Sequence, residues 1–125
     1  MPGVVALVCP IMARCRRRGG GGEVFARVSE YEVRPERLDE MNREGTEHVL
    51  PALRMQDGFG GGLVLVDRSS GKVIAMTFWE SERAMEITEE AAYWLRCFGA
   101  EAGDGRLKGV ERYEVFFSEV KEVRP

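Results

Sequence analysis

The chain has 125 residues, a length that suits one domain with one packed core. Hydrophobic residues make up 44% and charged residues 31%, and no stretch of 18 apolar residues occurs, which excludes an ordinary membrane-spanning helix and fits a soluble globular body. The formal net charge of −3 is unevenly distributed: all 21 acidic residues lie at or after Glu23, whereas Arg14, Arg16, Arg17 and Arg18 fall within the first 22 positions. An acidic body argues against nucleic acid as a partner, because phosphate binding needs clustered Lys and Arg.

Residues 1–22 differ in character from the rest of the chain. The apolar stretch Val4 to Ala13 precedes the arginines and is interrupted by Pro10, the reverse of a secretory signal, and four glycines come after the arginines as a flexible tether. The segment is expected to be a disordered extension, with Met12 as an alternative start. Its arginines offer at most a weak polyanion or acidic-membrane contact. Cys9, Cys15 and Cys97 lack metal-ligand spacing, and the only histidine is His48, so three reduced thiols in a cytoplasmic protein and no metal are expected.

From Glu23 the pattern becomes regular. Glu23 to Val33 shows loose alternation of β-branched and aromatic residues and predicts a strand. Pro35 suits the first turn of a helix over 36–55, in which Leu38, Met41, Gly45, Val49 and Ala52 share one face. Pro51 should bend this helix, and Gly45 should let it approach the sheet closely. Asp57-Gly58 turns the chain into two apolar runs, Leu63 to Asp67 and Lys72 to Glu80, joined by hairpin residues Asp67 to Gly71. The Gly60-Gly61-Gly62 run lacks the Lys-Ser/Thr of a phosphate loop and reads as a strand entry.

Ser81 is a good N-cap for a second helix whose inward face is Ala84, Met85, Thr88, Ala91, Ala92 and Leu95, with Tyr93, Trp94 and Cys97 pointing away toward a subunit contact. Gly99, Gly103 and Gly105 should end it, Val110 to Val120 should form the last strand, and 121–125 should be a polar tail. The order strand–helix–strand–strand–helix–strand defines an α+β, ferredoxin-like βαββαβ domain with an antiparallel sheet over 23–120. Strands apolar at successive positions are covered on both faces, but two helices cover only one. A second copy of the sheet is the simplest cover, so a homodimer is expected.

The Pro-started first helix, the Asp57-Gly58-Phe59 turn, the strand ending Trp79-Glu80-Ser81 and the Ser81-Glu82-Arg83-Ala84-Met85 helix start resemble the antibiotic biosynthesis monooxygenase (ABM)-like group of dimeric α/β-barrel proteins. The resemblance spans about Val24 to Val120. It implies a small homodimer with a pocket between helices and sheet in each subunit, and a cofactor-independent monooxygenase acting on a small aromatic or quinol-type compound. Haem degradation of the kind known in this group is disfavoured. Trp79 matches the group's strand-end Trp, but the first strand offers no Asn, and Thr88 stands near where an iron-binding His would be needed.

On this reading His48, at one edge of the inward helix face beside Met41, would assist proton removal. Asn42, at the opposite edge, would bind a substrate oxygen. Trp79 would stack on a planar ligand, with Met41 and Thr88 completing the contacts. Tyr31 and Tyr113 are possible phenolic donors that read more simply as packing residues. The alternative to an enzyme is a non-catalytic small-molecule-binding or accessory protein of the same fold, consistent with few ionisable residues on the inward faces.

Overall fold

A computed structural model describes residues 3–7 and 24–119, with side chains placed over 24–119 apart from that of Trp94. Five strands form one antiparallel sheet: β1 (Gly3–Leu7), β2 (Val24–Glu32), β3 (Phe59–Asp67), β4 (Lys72–Trp79) and β5 (Arg106–Val115), in spatial order β1-β3-β4-β2-β5. The last four strands and the helices between them follow the expected ferredoxin-like order.

The first strand corrects the expectation of a wholly disordered extension. Gly3–Leu7 pairs with β3, Gly3 opposite Val66 and Leu7 opposite Gly62. A β-prone Val-Val-Ala-Leu run next to an edge strand with unpaired N–H and C=O groups gives the physical reason. Cys9, Cys15, the arginine run, the glycine tether and the tail 121–125 lie outside the described residues.

After β2 the chain makes a 3₁₀ turn (Pro35–Arg37), then α1 (Leu38–Glu44), a π-helical segment (Gly45–Val49) and α2 (Leu50–Arg54). The proline bend therefore takes the form of a widened turn just before Pro51, whose ring nitrogen has no hydrogen to give the preceding turn. In β3 the glycine run lies inside the strand rather than ahead of it, with a register shift between Phe59 and Gly61. The β3–β4 turn is held by Asp67, whose carboxylate accepts from the Ser69 N–H at 3.0 Å and the Ser69 hydroxyl at 2.7 Å; Gly71 supplies the required φ of 82°.

Ser81 caps α3 (Glu82–Ile87), its hydroxyl accepting from the Ala84 N–H at 3.0 Å. Thr88 interrupts the helix with φ −92° and ψ 6°, and α4 (Glu89–Ala102) continues it. Gly99 does not end α4, because its backbone needs no special conformation there. The helix stops at Gly103 and is followed by Asp104 at φ 50°. Ala91 is exposed rather than inward, while Met85, Thr88 and Ala92 are buried as expected. The last strand begins and ends about four residues earlier than expected, leaving Phe116 and Phe117 exposed beyond it.

The helices cover one sheet face only. On β4, Val73, Ala75, Thr77 and Trp79 alternate toward the helices, and their neighbours Ile74, Met76 and Phe78 face the other way. Register carries the same division onto β2, where Arg27 pairs Thr77 and Ala26 pairs Phe78. Two apolar clusters hold the covered face together. One is centred on Tyr31, Leu38, Met41 and Val73, and the other on Leu50, Phe59, Trp79 and Met85. A third cluster, Val24, Ala26 and Phe78 with Leu63, Met76 and Val115 packed against it, lies on the face without helices.

Candidate functional site

A cavity of about 130 Å³ opens between the covered sheet face and the helices, drawing its wall from both apolar clusters. Its sheet side includes Ser29, Tyr31, Val73, Ala75 and Thr77, and its helix side includes Met41, Asn42, Val49, Leu50 and Leu95. Gly45 and Gly99 also face it, and a Cβ placed on either would meet nothing within 4 Å. Gly45 thus makes room for the cavity rather than for close packing of helix on sheet. No Asp, Glu, His or Cys contributes to this wall among the described residues.

The expected site residues divide. Met41 and Asn42 reach the cavity wall, but His48, Trp79 and Thr88 do not. The His48 side chain is 58% exposed, with Nε2 3.5 Å from a Glu44 carboxylate oxygen and its ring edge-on to Phe98 at 6.2 Å between centroids. The π segment containing it turns through more residues than an α-helix, which moves it off the face that 100° spacing assigns. Trp79 is 0% exposed and lies beneath the site: its indole N–H donates to the Thr77 hydroxyl at 3.0 Å, and Phe59 packs edge-on at 5.6 Å. Thr88 is buried but occupied, its hydroxyl donating back to the Ala84 carbonyl at 2.8 Å and accepting from Arg27 at 3.4 Å.

The two charged residues of the described wall, Arg27 and Arg96, were not singled out from the sequence. Arg27, only 2% exposed, sits with its guanidinium carbon 4.9 Å from the centroid of the Trp79 ring. Its Nη2 donates to the Met85 carbonyl, and its Nε donates to Glu89 at 3.3 Å; Nη1 is buried without a partner. Burial pushes its pKa down, the Glu89 carboxylate opposes that, and the charge of Arg96 lowers it further. Arg27 nevertheless stays charged, as arginine does in proteins. Glu89 is shared with Arg112, which reaches its Oε2 at 2.7 Å. Arg96 reaches the cavity from α4, and its Nε and Nη1 are buried and unpartnered. The signal for Arg27 lay in the strand's period of two, which places it on the inward stripe with Phe25, Ser29 and Tyr31.

Burial pushes the Tyr31 phenol up to about 12, partly opposed by the positive charge of Arg96 and a hydrogen bond with Ser29. Tyr31 is therefore protonated at neutral pH, a donor and not a base. Thr46 turns its hydroxyl back to the Asn42 carbonyl at 3.0 Å. The result is a mainly apolar chamber with a few hydrogen-bond donors directed at it.

This geometry is that of an α+β fold with a cavity between sheet and helices, and solved structures share the fold. A monooxygenase of Streptomyces coelicolor from the gene ActVA-Orf6, solved with the ligand Nanaomycin D, matches with a TM-score of 0.53 at 22% identity, over 81% of this chain and 91% of that one. The chain thus has the fold of the ABM-like monooxygenase structures. No family model matches the sequence. Two uncharacterized proteins of Mycobacterium tuberculosis are similar in sequence: Rv2558 is 39% identical over 80 residues, 64% of this chain and 34% of that protein, and Rv2557 is 35% identical over 95 residues, 76% and 42% respectively. The chain therefore spans about two-fifths or less of these relatives' length. Among the described residues no helix is long and apolar enough to cross a membrane.

Proposed function

We propose that the chain is a cytoplasmic homodimer of the ABM-like kind that binds a small aromatic or quinol-type compound and oxygenates it without metal or flavin. The observation that carries this reading is the cavity itself, apolar on most of its wall and walled by Asn42 and the protonated Tyr31 at polar points. An electron-rich phenol that ionises in such a chamber is its own electron source for dioxygen, and fixed donors stabilise the anion formed. Asn42 would hold the phenolic oxygen and Met41 would pack against the ring. The monooxygenase fold of the structural neighbours supports the reaction class. The apolar open face of the sheet supports the second copy.

His48 has no part in this chemistry, because it lies outside the chamber. The phenolic proton then passes to water at the mouth, or the substrate enters already ionised. The absence of a carboxylate, imidazole or thiol from the described wall favours a second reading, a binding protein that turns nothing over. Oxygen uptake separates the two. Phenols and hydroquinones that raise Tm should be tested with a Clark electrode. The enzyme reading expects uptake that falls about a hundredfold or more in Asn42→Ala, the scale for losing one donor to a developing anion. Binding with no uptake establishes the second reading.

A further inference from the structure

Arg27 and Arg96 present unpartnered buried N–H groups at one cavity, from a strand and a helix that meet only in the folded chain. Their charges are only partly compensated. The charges of Arg96 and Arg112 bear on Arg27, yet Glu89 is the one carboxylate that bridges into the group, and Arg112 already takes both of its oxygens. Arg96 has no carboxylate partner among the described residues; its guanidinium lies 6.0 Å from the Tyr93 ring centroid. A buried guanidinium donor left unmade is costly, and a charge without a counter-charge is more so. Water could satisfy the hydrogen bond but not the charge.

We infer that the ligand of this chamber carries a carboxylate, held between the Nη1 groups of Arg27 and Arg96, with its ring lying along the apolar wall toward Asn42. Each guanidinium offers an unpartnered Nη1 donor to one oxygen of a planar carboxylate, and that of Arg27 is fixed in place by Met85 and Glu89. The size agrees: a dry cavity of about 150 Å³ accepts one benzene ring, so about 130 Å³ partly open to solvent suits a single-ring acid. The inference rests on the aromatic reading of the chamber and adds the charge of the molecule that enters it.

Isothermal titration of the whole chain with benzoate and with its neutral isostere benzamide tests this directly. Benzoate should bind at least about tenfold more tightly, as charge-assisted pairing requires. Arg96→Gln, at a half-buried position, should bring the two affinities to within about threefold while leaving benzamide unchanged. Arg27→Gln should do the same if it folds; should it not, Arg96→Gln decides. Equal affinity of the native chain for both probes overturns the carboxylate and leaves the aromatic chamber standing. A preference that survives Arg96→Gln unchanged overturns the pairing with Arg96. Binding of neither probe removes both readings together.

Discussion

The two faces of this sheet are made by the same strands and differ in what they can tolerate. On the helix-covered side β2 and β4 place Arg27, Ser29 and Thr77 among apolar neighbours. On the open side the same strands place Val24, Ala26, Val28, Ile74, Met76 and Phe78, with Glu30 and Glu32 only toward one end. Strand propensity cannot explain the difference, since both faces belong to one backbone. Burial of polar groups is expensive, so their concentration on one side fits the ligand proposed for the cavity. The mainly apolar side fits the proposed second copy. On that reading the covered face receives a ligand and the open face serves assembly.

The sharpest test on the covered face is Trp79→Ala. Trp79 is fully buried and touches Phe59 and the Arg27 guanidinium, so truncation should cost about 3–5 kcal/mol by urea unfolding, with partial loss of fold. A loss below about 1 kcal/mol would mean that Trp79 is a ligand platform after all and that the cluster around it holds without it.

On the open face the corresponding probe is Met76→Glu, which puts a carboxylate at the centre of the apolar patch. Within the proposed homodimer an unpaired buried charge costs about 3 kcal/mol or more, a weakening of about a hundredfold in Kd. Sedimentation should show the native chain paired at micromolar concentration and the variant as a folded monomer. A native chain that sediments as a well-folded monomer would remove the assembly role of that face.

A smaller effect concerns the ion pairs at the rim of the cavity. Hydrogen bonds from Arg112, and then the charge of Arg27, hold the Glu89 carboxyl below the usual carboxylate range, with burial opposing them. A carboxyl whose folded pKa lies below its unfolded value stabilises the fold fully above the unfolded value, about 4.3. That contribution is lost as pH falls through the folded value. Unfolding free energies measured from about pH 6 down to about pH 3 should fall less steeply for Glu89→Gln than for the native chain. Parallel slopes would show that Glu89 is not coupled to the arginines.

Much of this architecture could be read from the residues themselves. Ser81 announced its helix, and Asp67 to Gly71 announced the hairpin. These signals are local, and local signals survive in a sequence. The site was less legible. Met41 and Asn42 came through because they precede the π segment, whereas His48 lies within it and was displaced by its wider turn. Arg27 lies on the inward stripe of its strand, but the groups that bury it, Met85, Thr88 and Glu89, are about 60 positions away in the chain and come together only on folding. Arg96 likewise reaches the cavity only through the packing of α4 on the sheet. The final strand was placed four residues late because Phe116 and Phe117 are apolar, but pairing with β2 ends at Val115 and leaves them outside.

The mildest substitutions discriminate between a chamber kept for a ligand and a mere packing gap. Gly45 and Gly99 both have helical surroundings, and Gly45 itself has φ −62° and ψ −45°, so neither position needs glycine for its backbone. Alanine at either should stabilise the fold by about 0.5–1 kcal/mol, because it restricts the unfolded chain and meets no atom within 4 Å. If the space were only a gap, the added methyl groups would be pure gain. If it is held open for an aromatic ligand, Gly45→Ala with Gly99→Ala should raise the urea midpoint and weaken binding of whichever aromatic probe the native chain accepts. Higher stability with undiminished binding would place the ligand elsewhere and leave the two helical glycines without a function at this cavity.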